Sequence, residues 1–83
     1  MKEKKVILKK DGKENEYTLL KLHKSNRLKK YYILYTDETY DSDDKLNIFV
    51  SRFNKRNNTI NDLETDDEWN EMEVILEEYI NGI

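Results

Sequence analysis

Four short segments in the first two thirds of the chain, at about 4–9, 14–23, 31–36 and 46–53, are rich in β-branched, aromatic and other apolar residues, and the second and fourth also alternate between two faces. An alternation of period two, rich in β-branched and aromatic side chains, is typical of strands. Asp11-Gly12 between the first two segments favours a two-residue hairpin. No helical pattern separates the four segments, so neighbouring strands are predicted to pair antiparallel as a meander. A fifth, edge strand is a candidate at 59–63.

The alternation also predicts the two faces of each strand. In the second strand, Thr18, Leu20 and Leu22 share one face and Tyr17, Leu19 and Lys21 the other. In the third strand, Tyr31, Ile33 and Tyr35 lie opposite Tyr32, Leu34 and Thr36, and in the fourth, Ile48 and Val50 lie opposite Phe49 and Phe53.

The last segment has the pattern of a helix, over about 66–81. Thr65 and Glu68 have the spacing of a capping box, and the acidic residues of the first turn suit the positive end of the helix dipole. Gly82 is placed to end the helix. Trp69 begins the apolar stripe and is predicted to lie in the core between helix and sheet. The other stripe residues are Met72, Leu76, Tyr79 and Ile83, widened by Ile75 and Ile80.

These elements predict one α+β domain over residues 1–83, in which a meander of four strands, or five, packs against one C-terminal amphipathic helix. Charged residues make up 40% of the 83 residues, but nine aromatic residues in periodic blocks favour a folded chain over a disordered one. The absence of cysteine excludes disulfides and thiolate metal sites. The first apolar run, at 6–8, is too short for a signal peptide or a membrane span, so a cytoplasmic protein without membrane contact is expected.

Charge is distributed unevenly along the chain. Residues 1–30 carry a net charge of +7, whereas the whole chain carries −3. One interpretation is that oppositely charged faces attract each other across the fold, and the other is a basic surface for nucleic acid. The candidate basic surface comprises Lys9, Lys10, Lys29 and Lys30, with the tyrosines of 31–35 as candidates for base stacking.

Few residues are candidates for chemistry. The loop at 37–45 is rich in carboxylates and is a candidate cation site, but an EF-hand loop counted from Asp41 would need Gly and Glu where Leu46 and Arg52 stand. His23 is the only histidine, and no nucleophile motif accompanies it. Two glycines cannot form a glycine-rich phosphate loop. We therefore expect no enzyme activity, no catalytic residue, no metal and no cofactor.

The helix carries more carboxylates than capping requires. A possible acidic docking surface is formed by Glu71, Glu73, Glu77 and Glu78.

Two stretches resemble a known family. "YYILYTDETYDSDDKLNIFVSRFN" has a strand ending in Tyr-Thr-Asp, an acidic loop and a strand ending in Ser-Arg-aromatic, and "LETDDEWNEMEVILEEYI" has an acidic opening before tryptophan and a glutamate-rich helix. Both are similar to the YrzB-like small bacterial proteins of unknown function, and "DGKENEYTLL" extends the likeness to nearly the whole chain. The basic character of residues 1–30 departs from the family pattern. The resemblance implies a short cytoplasmic protein and supplies no catalytic residue or cofactor.

The expected function is that of a non-enzymatic protein-interaction or regulatory domain with a protein partner. The alternative is a weak nucleic-acid binder that uses the basic N-terminal hairpin. As an oligomer, the chain is expected to be a monomer or a weak homodimer that associates through the first strand or through 59–63.

Overall fold

The computed structural model describes residues 4–82 and shows a five-stranded sheet followed by one C-terminal helix. The elements are β1 (Lys4–Lys10), β2 (Lys13–Ser25), β3 (Lys30–Thr36), β4 (Phe49–Asn54), β5 (Thr59–Asn61) and α1 (Asp66–Asn81). The α+β class is confirmed, and the candidate fifth strand is present as β5. The fourth strand begins at Phe49 because the residues before it belong to a folded loop, in which Tyr40 bridges Leu46.

The sheet differs from the predicted open meander in that it closes into a barrel with the strand order β1-β2-β3-β4-β5. Successive strands pair antiparallel, as predicted, and β1 and β5 meet in parallel at Lys9 and Thr59. The Lys9 backbone N–H donates to the Asn58 carbonyl oxygen at 2.9 Å. A twisted sheet coils as strands are added, and an odd number of antiparallel strands leaves the first and last running in the same direction. The odd number of strands therefore makes the β1–β5 contact that closes the barrel parallel.

The first hairpin has the predicted two-residue turn. Lys10 pairs with Lys13, and both turn residues have positive φ angles, 53° at Asp11 and 79° at Gly12. Two positive φ angles define the type I′ turn, which matches the twist of the flanking strands. The local Asp-Gly signal thus places β2 beside β1.

Two apolar clusters occupy the two sides of the sheet. The cluster inside the barrel contains Leu8, Ile33, Tyr35 and Ile60, and partly buried Val6, Tyr17, Leu19 and Phe53 pack against it. The cluster between the sheet and α1 contains Tyr32, Leu34, Leu63 and Met72, with Leu20, Leu28, Ile48, Val50, Ile75 and Leu76 around it. Strand β3 contributes to both clusters, and its predicted division into two faces is confirmed.

A β-bulge changes the second strand. Leu19 pairs with Tyr35, but the next registered residue is Lys21, which pairs with Leu34, so Leu20 is the additional residue. Because residues paired across two strands share a face, the bulge reverses the faces of the rest of β2. Leu22 therefore lies beside Ile33 rather than on the face of Leu20, as the alternation predicted. The same shift turns His23 toward the helix side, beside Tyr32.

Helix α1 begins and ends as its capping signals predict. The Glu68 N–H donates to Thr65 Oγ1 at 3.1 Å, the Glu68 side chain accepts from the Thr65 N–H, and Gly82 closes the helix at a φ of 75°. The placement of Trp69 in the core was wrong: its side chain is 48% exposed, and Met72 is the buried apolar residue of the helix. The helix lies against the sheet along Met72, and Trp69, three residues earlier, lies about 60° around the helix axis from it, at the flank of the contact. Ile83 of the predicted stripe lies outside the described residues.

Across residues 4–82, α1 is the one helix, and it is neither long enough nor apolar enough to span a membrane.

Candidate binding surfaces

A buried carboxylate joins the N-terminal end of α1 to the sheet. Glu68 is 1% exposed, and one of its carboxylate oxygens accepts a hydrogen bond from the Tyr32 hydroxyl at 2.7 Å. The other accepts from the backbone N–H groups of Glu64 at 2.8 Å and Thr65 at 3.2 Å. The Lys30 ammonium and the Arg52 Nε each lie 3.8 Å from the Tyr32-bonded oxygen. The Glu68 charge is therefore held by three donors and two nearby cations.

These contacts shift two pKa values. Burial raises the pKa of Tyr32 strongly, and its hydrogen bond to Glu68 raises it further. Burial would also raise the pKa of Glu68, but the bonds from Tyr32 and from the two backbone N–H groups outweigh it, and the pKa lies below its ordinary value. Tyr32 therefore stays protonated as a donor and Glu68 stays ionised as an acceptor at neutral pH.

A second cluster lies one helical turn further on. Glu71 Oε2 lies 2.8 Å from His23 Nε2, and Glu71 Oε1 lies 3.5 Å from Arg27 Nε. Hydrogen bonds from Ser25 and His23 lower the pKa of Glu71. The bulge in β2 brings His23 into reach of the helix. Glu71 thus attaches the helix to β2, as Glu68 attaches it to β3.

Most ion pairs of the described residues join residues 1–30 to residues 31–83. Lys10 binds Asp62 at 2.8 Å, and Lys5 pairs with Glu38. The contacts of Arg27 with Glu71 and of Lys30 with Glu68 are of the same kind. The uneven charge of the sequence is therefore used in part to hold the fold together.

The predicted acidic docking surface divides into two parts. Glu71 and Glu78 are partly buried, whereas Glu73 and Glu77 are exposed. Among residues 4–82, neither Glu73 nor Glu77 has a cation within ion-pair distance. Trp69 lies one turn before Glu73 on the same side of the helix, and Ile80 lies one turn after Leu76.

We call this side of α1 the helix flank. It comprises Trp69, Glu73, Leu76, Glu77 and Ile80.

The predicted basic surface is also divided. Lys9 lies 3.5 Å from Glu14, Lys10 is bound to Asp62, and Lys30 lies near Glu68. The hydrogen bond to Asp62 raises the pKa of Lys10. Lys29 is exposed, at the end of the β2–β3 turn. Three of the four lysines are therefore partly neutralised within the fold.

The structure brings a different set of cations together at one end of the barrel. Two adjoining depressions of about 460 and 330 Å³ share Lys30 and Tyr31. We call the combined surface the basic groove. Its lining residues are Lys24, Ser25, Asn26, Lys29, Lys30, Tyr31, Arg52, Phe53, Asn54, Lys55, Arg56 and Asn61. Six of these residues are cationic, and none is acidic.

Two similar turns shape the groove. In the β2–β3 turn the Lys29 N–H donates to the Ser25 carbonyl at 2.8 Å, and in the β4–β5 turn the Asn58 N–H donates to the Asn54 carbonyl at 2.9 Å. Each turn ends in a left-handed residue, with φ angles of 58° at Lys29 and 57° at Asn58. The closing bonds fix where the turns present their charges.

Sequence reasoning missed the second turn. The two cations of the β4–β5 turn, Lys55 and Arg56, were not among the candidate basic residues, although they lie as densely along the sequence as the cations of the β2–β3 turn. The signal was the likeness of two basic, asparagine-containing turns at the ends of adjacent hairpins. Of the tyrosines proposed for stacking, Tyr32 and Tyr35 are buried and Tyr31 is partly exposed.

Two carboxylates of the acidic loop at 37–45 accept hydrogen bonds within the loop and stabilise its turns. Asp37 Oδ1 accepts from the Thr39 N–H and hydroxyl, which lowers the pKa of Asp37. Asp41 Oδ1 accepts from the N–H groups of Asp43 and Lys45. Within residues 4–82, no group of three or more His, Cys, Asp or Glu side chains is placed to hold a metal ion.

Comparisons with known proteins found no match: no family model, no curated protein and no solved structure corresponds to this chain.

Proposed function

We propose that this protein is a non-enzymatic interaction domain whose helix flank binds a protein segment carrying both basic and apolar side chains. The observation that carries the proposal is the exposure of large apolar side chains beside unpaired carboxylates on one side of α1. Trp69 is 48% exposed and Ile80 is 62% exposed, and Glu73 and Glu77 lie among them.

The helix is well suited to present such a flank. Its capping box, its αL glycine and the two carboxylates that bond to β2 and β3 hold it on the sheet without the exposed side chains. Tryptophan is among the residue types most enriched at the energetic centre of protein interfaces, and a half-exposed tryptophan can bury its remaining surface against a partner. Because the flank carries acidic side chains and the last helical turn carries no basic one, a basic partner is favoured electrostatically.

The titratable groups between helix and sheet support binding rather than turnover. Glu68, Tyr32, Glu71 and His23 are engaged in bonds that attach the helix. The resemblance to the YrzB-like family agrees with this proposal, since it supplies no catalytic residue. A cytoplasmic location and a monomeric or weakly dimeric state belong to the same proposal.

The experiment places a photo-crosslinking amino acid at position 69 or 80 of the helix flank in the native cell. The matched control position is Val74, which is equally exposed on another side of α1. The captured protein is then purified, and its affinity is measured by calorimetry against the wild type and against Trp69→Ala/Ile80→Ala and Glu73→Gln/Glu77→Gln.

We expect capture at 69 and 80 but not at 74, and weaker binding by both double variants. Equal capture at 74, or an affinity that both double variants leave unchanged, contradicts the proposal. Capture of a second copy of this chain would replace the heterologous partner with self-association.

A further inference from the structure

We propose that the basic groove is a binding site for single-stranded nucleic acid, in which Tyr31 stacks on a base and the two basic turns hold the flanking phosphates. The site is independent of the helix flank. It also differs from the predicted basic surface of Lys9, Lys10, Lys29 and Lys30, because half of its cations come from β4 and the β4–β5 turn.

The cations of the groove are available for a ligand. Among residues 4–82, four of the six have no carboxylate within ion-pair distance. They are Lys24, Lys29, Lys55 and Arg56. Arg52 and Lys30 lie beside the buried Glu68, which leaves them positioned but partly neutralised. Four unpaired cations at the rim of one groove, with no acidic side chain in its lining, favour a polyanion.

Tyr31 provides a feature that a simple anion site does not need. It is the second residue of β3, is paired with Phe53 and is partly exposed near the end of the barrel. The Lys55 ammonium lies 4.7 Å from the centre of this ring. A cation over the ring shows that the ring face is open to a neighbour, and the stacking of a base on an aromatic ring is the stronger contact. A base that displaces Lys55 frees its ammonium for the adjacent phosphate.

Single strands fit this groove better than duplexes. Bases in a duplex are stacked on each other, so the Tyr31 face can receive only a base that is unpaired. The amides of Asn26 and Asn61 in the lining are neutral donors and acceptors that tolerate several bases.

The experiment measures fluorescence anisotropy of a short labelled oligothymidine across a range of salt concentrations. Four neutralised phosphates predict a slope of log K against log salt of roughly −3 for a single strand. The variant Lys24→Gln/Lys29→Gln/Lys55→Gln/Arg56→Gln should lose most of the affinity and most of the slope. The control Lys13→Gln/Lys45→Gln changes two exposed lysines outside the groove and should bind like the wild type.

Stacking is tested on both sides of the contact. Tyr31→Phe should retain binding, and Tyr31→Leu should weaken it about fivefold or more. An abasic oligomer of the same length tests the same contact on the unchanged protein, so the result stands even where Tyr31→Leu fails to fold.

Absence of binding at low salt, or equal loss in the Lys13/Lys45 control, overturns the proposal. Equal affinity for the abasic oligomer or for the duplex removes the stacking role and the preference for single strands, and so overturns it as well. Equal affinity for polyglutamate assigns the groove to an acidic protein segment instead. Each of these outcomes leaves the helix flank and its crosslinks unaffected.

Discussion

Strand β3 and helix α1 are both rich in large apolar residues, but the protein uses them in opposite ways. Tyr32, Ile33 and Leu34 are at most 1% exposed, because one face of β3 lies inside the barrel and the other beneath α1. The helix buries Met72 and leaves Trp69 and Ile80 in contact with solvent. Burial on two sides makes a strand structural, whereas contact on one side leaves a helix with a second face for binding.

The attachment of α1 to the sheet also differs from the purely apolar contact that the helical stripe predicts. Apolar contact alone would attach α1 through a narrow stripe. Glu68 and Glu71 add hydrogen bonds and ion pairs to β2 and β3 at the first turns of the helix. The polar attachment lets the helix stay on the sheet while part of its apolar surface remains exposed.

The largest expected effect tests the burial of β3. Leu34→Ala should lower the free energy of unfolding by about 2 to 5 kcal/mol, because it opens a cavity between sheet and helix. The control Ile80→Ala removes a similar side chain that is 62% exposed, and should change stability by less than about 0.5 kcal/mol. Urea unfolding followed by circular dichroism gives both values. Equal effects would show that β3 is no more structural than the helix flank.

The next effect tests the polar attachment. Tyr32→Phe should cost about 1 to 3 kcal/mol, because it removes a donor from a buried, charged carboxylate. Tyr35→Phe is the matched control, since the Tyr35 hydroxyl lies 2.9 Å from the neutral Ser51 hydroxyl. Its cost should be close to the usual 1 kcal/mol or so of a neutral hydrogen bond. A Tyr35 variant less stable than the Tyr32 variant would contradict the role of the Glu68 charge.

Acid should weaken the same attachment. The pKa values of Glu68 and Glu71 in the folded protein lie below the ordinary value of 4.5. A carboxyl whose pKa is lowered by folding stabilises the fold fully above its unfolded-state pKa, and this contribution disappears as pH falls through the folded value. Stability should therefore decline below about pH 4.5 in the wild type.

Glu68→Gln isolates this dependence. Its amide keeps the shape, and its one oxygen can accept either from Tyr32 or from the backbone N–H groups of Glu64 and Thr65. Because the amide does not titrate, the decline below about pH 4.5 should be shallower than in the wild type. Thermal melts at several pH values measure the two slopes. Parallel slopes would mean that the buried charge of Glu68 contributes nothing to the acid dependence.

The smallest expected effect concerns Trp69. Since about half of its side chain is exposed, Trp69→Ala should cost less than about 1 kcal/mol, rather than the several kcal/mol of a core aromatic. A chemical denaturation curve decides between these values. A loss above 3 kcal/mol would return Trp69 to the core and remove the main support for the helix flank as a binding surface.

Local signals in the sequence determined several elements of this protein. The Asp11-Gly12 pair places a type I′ turn because both residues tolerate a positive φ. Thr65, Glu68 and Gly82 define the start and end of the helix because their bonds reach no further than the adjoining turn. The alternation along β3 identified its two faces because side chains of a strand point in opposite directions.

Contacts between distant segments were decided by the tertiary structure. Closure of the barrel brings β5 to β1, and the bulge at Leu20 turns His23 toward Glu71. Neither has a local signal, because both depend on how several strands twist and pair together. The same holds for the buried charge of Glu68 and for the basic groove around Tyr31. The sequence alone gives the positions of charges along the chain. Only the packed strands and turns determine which charges meet, which are neutralised and which remain accessible to a ligand.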